Sequence, residues 1–419
     1  MKLSSRWTLA ALSVLCLGQI APALSATGTP IKIALLAPTS GTAAAAGHDM
    51  VNAWTLYWSE HHNAVAGHPV VTTVYDTASN PAHALDQARH AVEQDGAQII
   101  VGPYLANEGL AVAPYGEQHK IPMIEPTVSA DDLSQRMANS YLVKVAGWTS
   151  SLTTHVAGVW AAEQGYKKVA TIANSYAFGY ENAGGFAQTF TEKGGKIVAQ
   201  LWSPLGTTDY SPYISRLQAA QPDAVFVEMV GADAVHFLEQ WSSFGLKNKI
   251  PLIANETTTD QSNIRSIAPD VVDGITSFGH YAEGRDDAAT RDFELKYGAA
   301  EGVLPSYMAA SFYTAAQWLA TAIDHVHGDI ADSARLLTAI HDVKLSDSPL
   351  GPLELDRYNA PFENVYLRKV VATSGPAAKY AKDWNVVTKT WPHVSQFWTY
   401  DPKTYLKQPV YSASYQGIK

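Results

Sequence analysis

Cysteine is almost absent from this chain of 419 residues. The one cysteine, Cys16, lies in an N-terminal stretch that has the pattern of a removable segment. The rest of the chain can therefore form no disulfide, and it offers neither a thiol nucleophile nor a thiolate metal ligand. A chain without disulfides must be held together by its core, and a hydrophobic content of 47% permits a large one.

Clustered basic residues and the signatures of common enzymes are also missing. The 29 Lys and Arg residues form no run and are outnumbered by 39 Asp and Glu, which argues against a nucleic acid or an anionic membrane as partner. The sequence contains no HExxH, nucleophile elbow, Walker A, CxxC or GxGxxG motif. It therefore predicts no catalytic residues, no bound metal and no cofactor.

Long hydrophobic runs are confined to the N-terminus. Met1 to Ala26 combines Lys2 and Arg6 with an apolar stretch and then small residues, which is the pattern of a secretory signal peptide. An uncleaved membrane anchor is the alternative, but the apolar stretch is shorter than the roughly 20 residues that a spanning helix needs. We predict cleavage near Ser25 or Ala26 and a secreted mature protein.

The two halves of the chain repeat one order of strands and helices. Strands that alternate with helices predict a parallel sheet with helices on both faces. In the first half the predicted strands are Ile31 to Pro38, Gly67 to Tyr75, Ala97 to Gly102 and Ile121 to Glu125. In the second half they are Val169 to Ala173, Lys196 to Trp202, Asp223 to Glu228 and Ile250 to Ala254. The repeat predicts an α/β fold with two Rossmann-like lobes.

Three segments are candidates for connections between the lobes. Ala146 to Thr149 joins the two halves, and the strand-like segments Gly274 to His280 and Asn364 to Val371 follow the second repeat. If both later segments cross between the lobes, the three connections form a hinge; alternatively, both are edge strands of one lobe. The tail after Ser374 is rich in Trp and Tyr, and we expect it to pack on its own domain rather than to form a docking surface.

Loops after the predicted strands supply the candidate binding residues. Open α/β sheets bind ligands at the carboxyl ends of their strands, so six such loops would line one crevice between facing lobes. Hydroxyl groups, aromatic rings and one carboxylate are a mixture that suits a small amphipathic molecule. The residues are Ser40, Thr42, Thr127, Ser129, Thr257, Tyr104, Trp148, Tyr176, Phe178 and Glu256.

The ordered segments of the chain resemble the periplasmic substrate-binding proteins of the branched-chain amino acid (Leu/Ile/Val) ABC transporter family, which have the type I two-lobed fold. The resemblance covers Pro30 to Val371 and rests on IKIALLAPTSG, AQIIVGP, IPMIEPTVS, KKVATIANSYAFG, SPLGPLELD and NVYLRKV. It implies a three-strand hinge, with lobe 1 formed by 29–147 plus 280–367. Lobe 2 and the C-terminal tail would be 148–279 plus 368–419.

The resemblance also implies roles for individual residues. Ser129, with backbone groups of Thr127, falls where amino-acid binders hold the α-amino and carboxylate groups of their ligand. Glu256 falls where a glutamate pairs with the ammonium group of the ligand, and Phe178 matches a ring from the turn that opens lobe 2, with Tyr176 two residues before it.

Three positions depart from the amino-acid-binding pattern. Ala106 stands where a serine helps to bind the carboxylate, Thr149 stands where an aspartate follows the first crossing, and Val230 or Gly231 stands where a tyrosine follows a strand of the second lobe. A backbone N–H at Ala106 could still bind a carboxylate.

Other segments look more like a branch of the family that binds aromatic carboxylates; these are SPLGTTDYSPYI, NVYLRKV and VSQFWTYDP. Rings at Trp148, Tyr176 and Phe178 suit a planar ligand. Glu256 instead argues against an acidic ligand, because a carboxylate repels an acid unless the carboxylate is protonated or turned away.

The resemblance implies a non-enzymatic, periplasmic solute-binding component of an ABC importer. A branched-chain or related amino acid, or an aromatic carboxylate, would be captured between closing lobes and delivered to a membrane permease and ATPase complex. We expect a monomer.

The alternatives to a solute-binding component are a ligand-sensing subunit of a membrane receptor and an exported amide or ester hydrolase. A hydrolase would need a nucleophile and a base within reach, but His48 is the only histidine near the six loops.

Overall fold

The computed structural model describes residues 26–418. The predicted signal peptide therefore lies outside the described residues, except for Ala26. Within 26–418, no helix is both long enough and apolar enough to cross a membrane.

The first part of the described chain builds a sheet with three helices on its faces. Its elements are β1 (Ile31–Ala37), α1 (Ala44–Glu60), β2 (Ala64–Val65), β3 (His68–Asp76), α2 (Pro81–Glu93), β4 (Ile99–Val101), α3 (Ala106–His119), β5 (Met123–Ile124) and β6 (Leu142–Val143). The strand order is β2-β3-β1-β4-β5-β6. All neighbours are parallel except β2, which is antiparallel to β3. β1 is an almost continuous apolar run because helices cover both faces of the sheet.

The next part builds a second parallel sheet. Its elements are α4 (Ser150–Glu163), β7 (Lys168–Asn174), α5 (Ala177–Glu192), β8 (Lys196–Ser203), α6 (Ser211–Ala219), β9 (Ala224–Glu228), α7 (Gly231–Ser243), β10 (Leu252–Asn255), α8 (Gln261–Ile264), α9 (Pro269–Val272) and β11 (Thr276–Gly279). With β1, β3, β4 and β5, the strands β7, β8, β9 and β10 confirm the repeat read from the sequence, although β5 is only two residues long.

The last part of the chain adds helices to the core of the first lobe and strands to the second sheet. Its elements are α10 (Ala288–Glu301), α11 (Tyr307–His325), α12 (Ser333–Asp342), β12 (Lys344–Leu345), β13 (Leu353–Leu355), β14 (Pro361–Ala372), β15 (Asp383–Val394) and α13 (Pro402–Tyr405). The second sheet has the order β12-β13-β14-β11-β10-β9-β7-β8, and β15 also pairs with β14. β11 and β14 each have neighbours on both sides, so the alternative that both are edge strands is wrong.

The chain passes three times between separate hydrophobic cores. One core is built from 31–146 and 293–353, and the other two are built from 152–278 and 365–394. The first core also takes in Trp148, Tyr176, Phe178, Val230 and Tyr281, which lie where the two lobes meet. The lobe boundaries to the residue stay a prediction.

The aromatic tail packs against the rest of the described chain, but it is not confined to one domain as the sequence analysis expected. β15 extends the second sheet beside β14, and the Tyr411 ring lies so close to Gly184 on α5 that an ideal Cβ there would be 2.3 Å from its Cδ1. Arg136, which follows β5 in the chain, donates a hydrogen bond of 2.9 Å to the carbonyl oxygen of Gln408. The tail therefore contacts both lobes.

His155 on α4 lies beneath this tail and should make stability depend on pH. It is surrounded by the rings of Tyr400, Tyr405 and Tyr411, and burial lowers its pKa to about 3. Between pH 6.5 and about pH 3, His155 binds a proton in the unfolded chain but not in the folded chain. Stability should therefore fall as the pH falls, by about 1.4 kcal/mol per pH unit.

The measurement is the free energy of urea unfolding from pH 6.5 to 4.5 for the wild type and for His155→Gln, whose amide does not titrate. The wild type should show the steeper loss. Equal slopes would mean that His155 is protonated in the folded state.

Candidate functional site

A narrow cleft lies between the lobes, at the carboxyl ends of the strands of both sheets. Its lining contains hydroxyl groups, rings and helix starts, and no Asp, Glu, Lys, Arg or His. Tyr104, Ala106, Thr127, Ser129, Tyr176, Phe178 and Val230 were predicted as site residues and line it. Leu105, Thr257 and Tyr307 complete the lining.

The two lobes are in contact near the start of α1. Arg265 Nη2 lies 3.1 Å from the Asp49 carboxylate, which joins lobe 2 to helix α1 of lobe 1. Gly231, at the start of α7, approaches the carbonyl oxygen of Thr42 so closely that an ideal Cβ would lie 2.4 Å from it. The remaining cavity is about 10 Å³, which is room for a single water molecule. A larger molecule can enter only when the lobes separate.

Three helices begin at the cleft. Their N-terminal caps, Leu105 for α3, Tyr176 for α5 and Val230 for α7, all line it, and none of the three provides a side-chain cap. The N–H groups at the first positions of helices have no partner within the helix, and they carry the positive end of the helix dipole. The cleft therefore offers backbone donors to an anion without presenting a cationic side chain.

Hydroxyl groups stand beside these helix starts. Thr127 is 2% exposed, and its Oγ1 has no hydrogen-bond partner among the described residues. Ser129 is also buried, and its carbonyl oxygen accepts the N–H of Ser150 at 2.8 Å, which fixes the loop. A buried hydroxyl without a partner is costly, so the Thr127 hydroxyl is a natural contact for a bound polar group.

Glu256 is placed differently from the prediction, because it does not line the cleft. It is fully buried, and its Oε1 accepts the N–H of Tyr281 at 3.0 Å and Nη1 of Arg368 at 3.2 Å. Its Oε2 accepts the backbone N–H of His280 at 3.0 Å and contacts the imidazole Nδ1. Burial alone would raise the pKa of Glu256, but the charges of His280 and Arg368 hold it below its usual value. The carboxylate is ionised and already paired.

Trp148 and Ser40 also lie outside the lining. Trp148 packs edge-on against Phe178 with ring centroids 5.8 Å apart, and it stacks on His280 at 5.4 Å, so it supports the wall of the cleft from behind. Ser40 is exposed, and its hydroxyl donates a hydrogen bond of 2.6 Å to Asp76.

Comparison with known proteins decides the family. A family profile described as "Periplasmic binding protein" matches residues 30–375. The chain belongs to the periplasmic binding protein family. The type I fold and the prediction of a substrate-binding protein for an ABC transporter are confirmed. The tail after residue 375 lies beyond the matched region.

Individual relatives of this periplasmic binding protein cover most of its length. The Leu/Ile/Val-binding protein homolog 6 of Brucella melitensis is 27% identical over 347 residues, which are 81% of this chain and 87% of the relative. A solute binding protein of an ABC transporter from Rhodopseudomonas palustris BisB5, solved in complex with 3,4-dihydroxy benzoic acid, is 28% identical with a TM-score of 0.82. Another, from Rhodopseudomonas palustris HaA2 in complex with p-hydroxybenzoic acid, is 25% identical with a TM-score of 0.80. Each alignment with these two structures covers 88% of this chain and 98% of the other.

Sequence reasoning missed two residues that line the cleft of this periplasmic binding protein. Leu105 is the residue before α3, and Tyr307 is the first residue of α11, which packs on α1 in lobe 1. Tyr307 does not follow a strand, so the rule that selects loops at strand ends could not find it. Ser306, whose hydroxyl accepts the N–H of Ala309, marks a helix start at this point of the sequence.

Proposed function

We propose that this periplasmic binding protein captures an aromatic carboxylate between its lobes and hands it to the permease of an ABC transporter. The observation that carries the proposal is the chemistry of the cleft: hydroxyl groups and three helix starts surround it, and the one predicted carboxylate, Glu256, is paired elsewhere. Two structurally similar transporter proteins were solved with hydroxylated benzoic acids, which agrees with this choice of ligand.

The electrostatics of the site favour an acid over an amino acid. An amino acid brings an ammonium group into the cleft, and no carboxylate of the lining could pair with it. A buried charge without a partner costs several kcal/mol, whereas a carboxylate can take N–H groups of α3, α5 or α7 together with the hydroxyls of Thr127 and Ser129.

The rings give the ligand its shape. Tyr104 and Tyr307 stand on lobe 1, and Tyr176 and Phe178 stand on lobe 2, so closure brings aromatic faces together from both sides. A planar apolar body fits between such faces better than a branched aliphatic chain does. A ligand that contacts both lobes stabilises the closed form by its extra contacts there.

The proposed function also includes a cellular location, an oligomeric state and the absence of catalysis. Met1 to Ala26 would direct the chain to the periplasm as a signal peptide, and the mature protein would act as a monomer without catalysis. Two of the relatives described above are solute binding proteins of ABC transporters, and the third is a Leu/Ile/Val-binding protein homolog, which supports this setting.

Calorimetric titration of the mature protein tests the ligand class. 3-Phenylpropanoate and phenylalanine differ by a single ammonium group, and we expect the acid to bind at least tenfold more tightly. Benzoate and leucine extend the comparison to a shorter acid and to an aliphatic amino acid. Tighter binding of phenylalanine than of 3-phenylpropanoate would contradict the proposal.

A substitution in the lining tests where the carboxylate binds. Thr127→Val keeps the shape of the side chain and removes its hydroxyl, so it should weaken the binding of the acid about tenfold, which corresponds to about 1.4 kcal/mol. Thr208→Val, at an exposed position outside the cleft, is the matched control and should bind like the wild type. If the two variants bind alike, Thr127 does not contact the ligand.

A further inference from the structure

Two phenols meet in the lobe 1 wall of the cleft. Tyr104 follows β4, and Tyr307 begins α11, about two hundred residues later in the chain. The Tyr307 hydroxyl donates a hydrogen bond of 3.4 Å to the Tyr104 hydroxyl. Both residues line the cleft and are 6% and 1% exposed, respectively.

Only one of the two hydroxyl protons of this pair is used in the hydrogen bond between them. Each phenol carries one proton, and the Tyr307 proton points to Tyr104. The Tyr104 oxygen is therefore an acceptor in this bond, and its own proton has no acceptor among residues 26–418. Burial raises the pKa of both phenols, so both keep their protons at neutral pH. A buried O–H with no acceptor is unfavourable until a bound molecule supplies one.

Tyr307 is held in place from several sides. Its backbone N–H donates a hydrogen bond of 3.0 Å to Oδ2 of Asp260, at the start of α8 in lobe 2. Its ring lies edge-on to Trp148, with centroids 6.2 Å apart, and edge-on to His280 at 5.5 Å. Because Asp260 and Tyr307 belong to different lobes, this hydrogen bond exists only when the lobes are in contact, whereas both phenols stand on lobe 1.

The charges around Tyr104 limit which ligand group can accept a hydrogen bond from its hydroxyl. Asp260 and Glu228 of lobe 2, together with Glu108 of lobe 1, lie near enough to raise the pKa of the Tyr104 phenol further. Of these, Asp260, whose pKa burial raises only to about 6, is mostly ionised at neutral pH, and its negative charge disfavours a ligand carboxylate at this point, whereas a neutral oxygen is tolerated. The acceptor that fits is a hydroxyl or a similar uncharged oxygen of the ligand.

We propose that Tyr104 donates a hydrogen bond to a hydroxyl group on the ring of the ligand, and that Tyr307 is the positioning residue that orients this donor. The inference rests on the proposed function and narrows it. The ligand class becomes hydroxylated aromatic carboxylates, and the cleft selects them against the unsubstituted acid through the unused phenol donor of Tyr104.

The test compares benzoate with 2-, 3- and 4-hydroxybenzoate by calorimetric titration. We expect the wild type to bind at least one hydroxybenzoate about tenfold more tightly than benzoate, and Tyr104→Phe to reduce this ratio to about one. Tyr307→Phe should reduce the ratio by a few fold, because the donor remains but loses its orientation. Tyr213→Phe, on α6 outside the cleft, is the control. If Tyr104→Phe fails to fold, Tyr307→Phe still tests the pair.

The outcomes separate this inference from the function on which it rests. If the wild type binds benzoate and every hydroxybenzoate equally, or if Tyr104→Phe weakens all the acids by the same factor, the inference is wrong and the proposed function stands. If the wild type binds none of the acids but binds an amino acid, the proposed function and the inference are both overturned.

Discussion

Replacing Arg368 by methionine should lower the free energy of unfolding by about 3–5 kcal/mol, the range seen when one partner of a buried ion pair is removed. Arg368 is fully buried on β14 and donates to the Glu256 carboxylate at 3.2 Å and to the Glu256 carbonyl oxygen at 2.9 Å. It also donates to the carbonyl oxygen of Tyr281 at 2.9 Å and to the hydroxyl groups of Ser277 and Thr259, each at 3.1 Å. Methionine fills much of the space but satisfies none of these acceptors.

The same substitution on the surface provides the control. Arg335 pairs with Asp329 at 3.1 Å, but both side chains are about half exposed. Arg335→Met should therefore cost less than about 1 kcal/mol. The measurement is urea unfolding at pH 7. A second variant, Glu256→Gln in the Arg368→Met background, should recover part of the loss because it removes a buried charge that has only His280 left as a partner. A cost for Arg368→Met no greater than that for Arg335→Met would show that the buried pair contributes no net stability.

Gly231→Ala should weaken ligand binding at least a hundredfold by keeping the lobes apart. An ideal Cβ at this position would lie 2.4 Å from the carbonyl oxygen of Thr42 in the other lobe, and a backbone atom cannot rotate away as a side chain can. Residue 231 also has φ +52°, so alanine adds a local strain of roughly 1–2 kcal/mol. The closed form would be lost, and with it every contact that depends on both lobes.

Gly206→Ala is the control that distinguishes the clash between the lobes from the backbone strain at a positive φ. Gly206 has φ +82° and no atom within 4 Å of an added Cβ, so it experiences the backbone strain without the contact between lobes. We expect both variants to lose similar stability without ligand, and only Gly231→Ala to lose affinity in calorimetric titration. Wild-type affinity for Gly231→Ala would mean that the ligand binds without full closure.

The fold could be predicted from the sequence because buried parallel strands leave a strong pattern. Each strand of the repeat is a short apolar run, and a helix follows it at a similar spacing in both halves. The C-terminal strand β15 was missed as a strand, since Thr388, Lys389 and Thr390 are three consecutive exposed polar residues that interrupt the apolar pattern.

The site was predictable only where it follows strands. Ala106, Thr127, Ser129, Phe178 and Val230 lie at the ends of strands or at the helix starts that follow, so the topology alone brings them to one cleft.

The partner of Glu256 could not be located in this way. Arg368 faces it because β14 runs antiparallel to β11 with Ser277 opposite Arg368, and neither the direction nor the register of that pairing can be read from one sequence. A usable signal was present nevertheless: an arginine inside the run NVYLRKVV must be exposed or paired.

The three passages of the chain between the lobes also determine when each lobe can fold. Helix α1 of lobe 1 packs on α11, which is complete only at His325, and β11 of lobe 2 pairs only with β10 until β14, which ends at Ala372, is made. Joining segments so far apart in sequence requires long loops to close, which makes early folding slow. Most of the chain must therefore be made before either lobe has a finished core, a delay that suits a protein whose family acts outside the compartment of its synthesis.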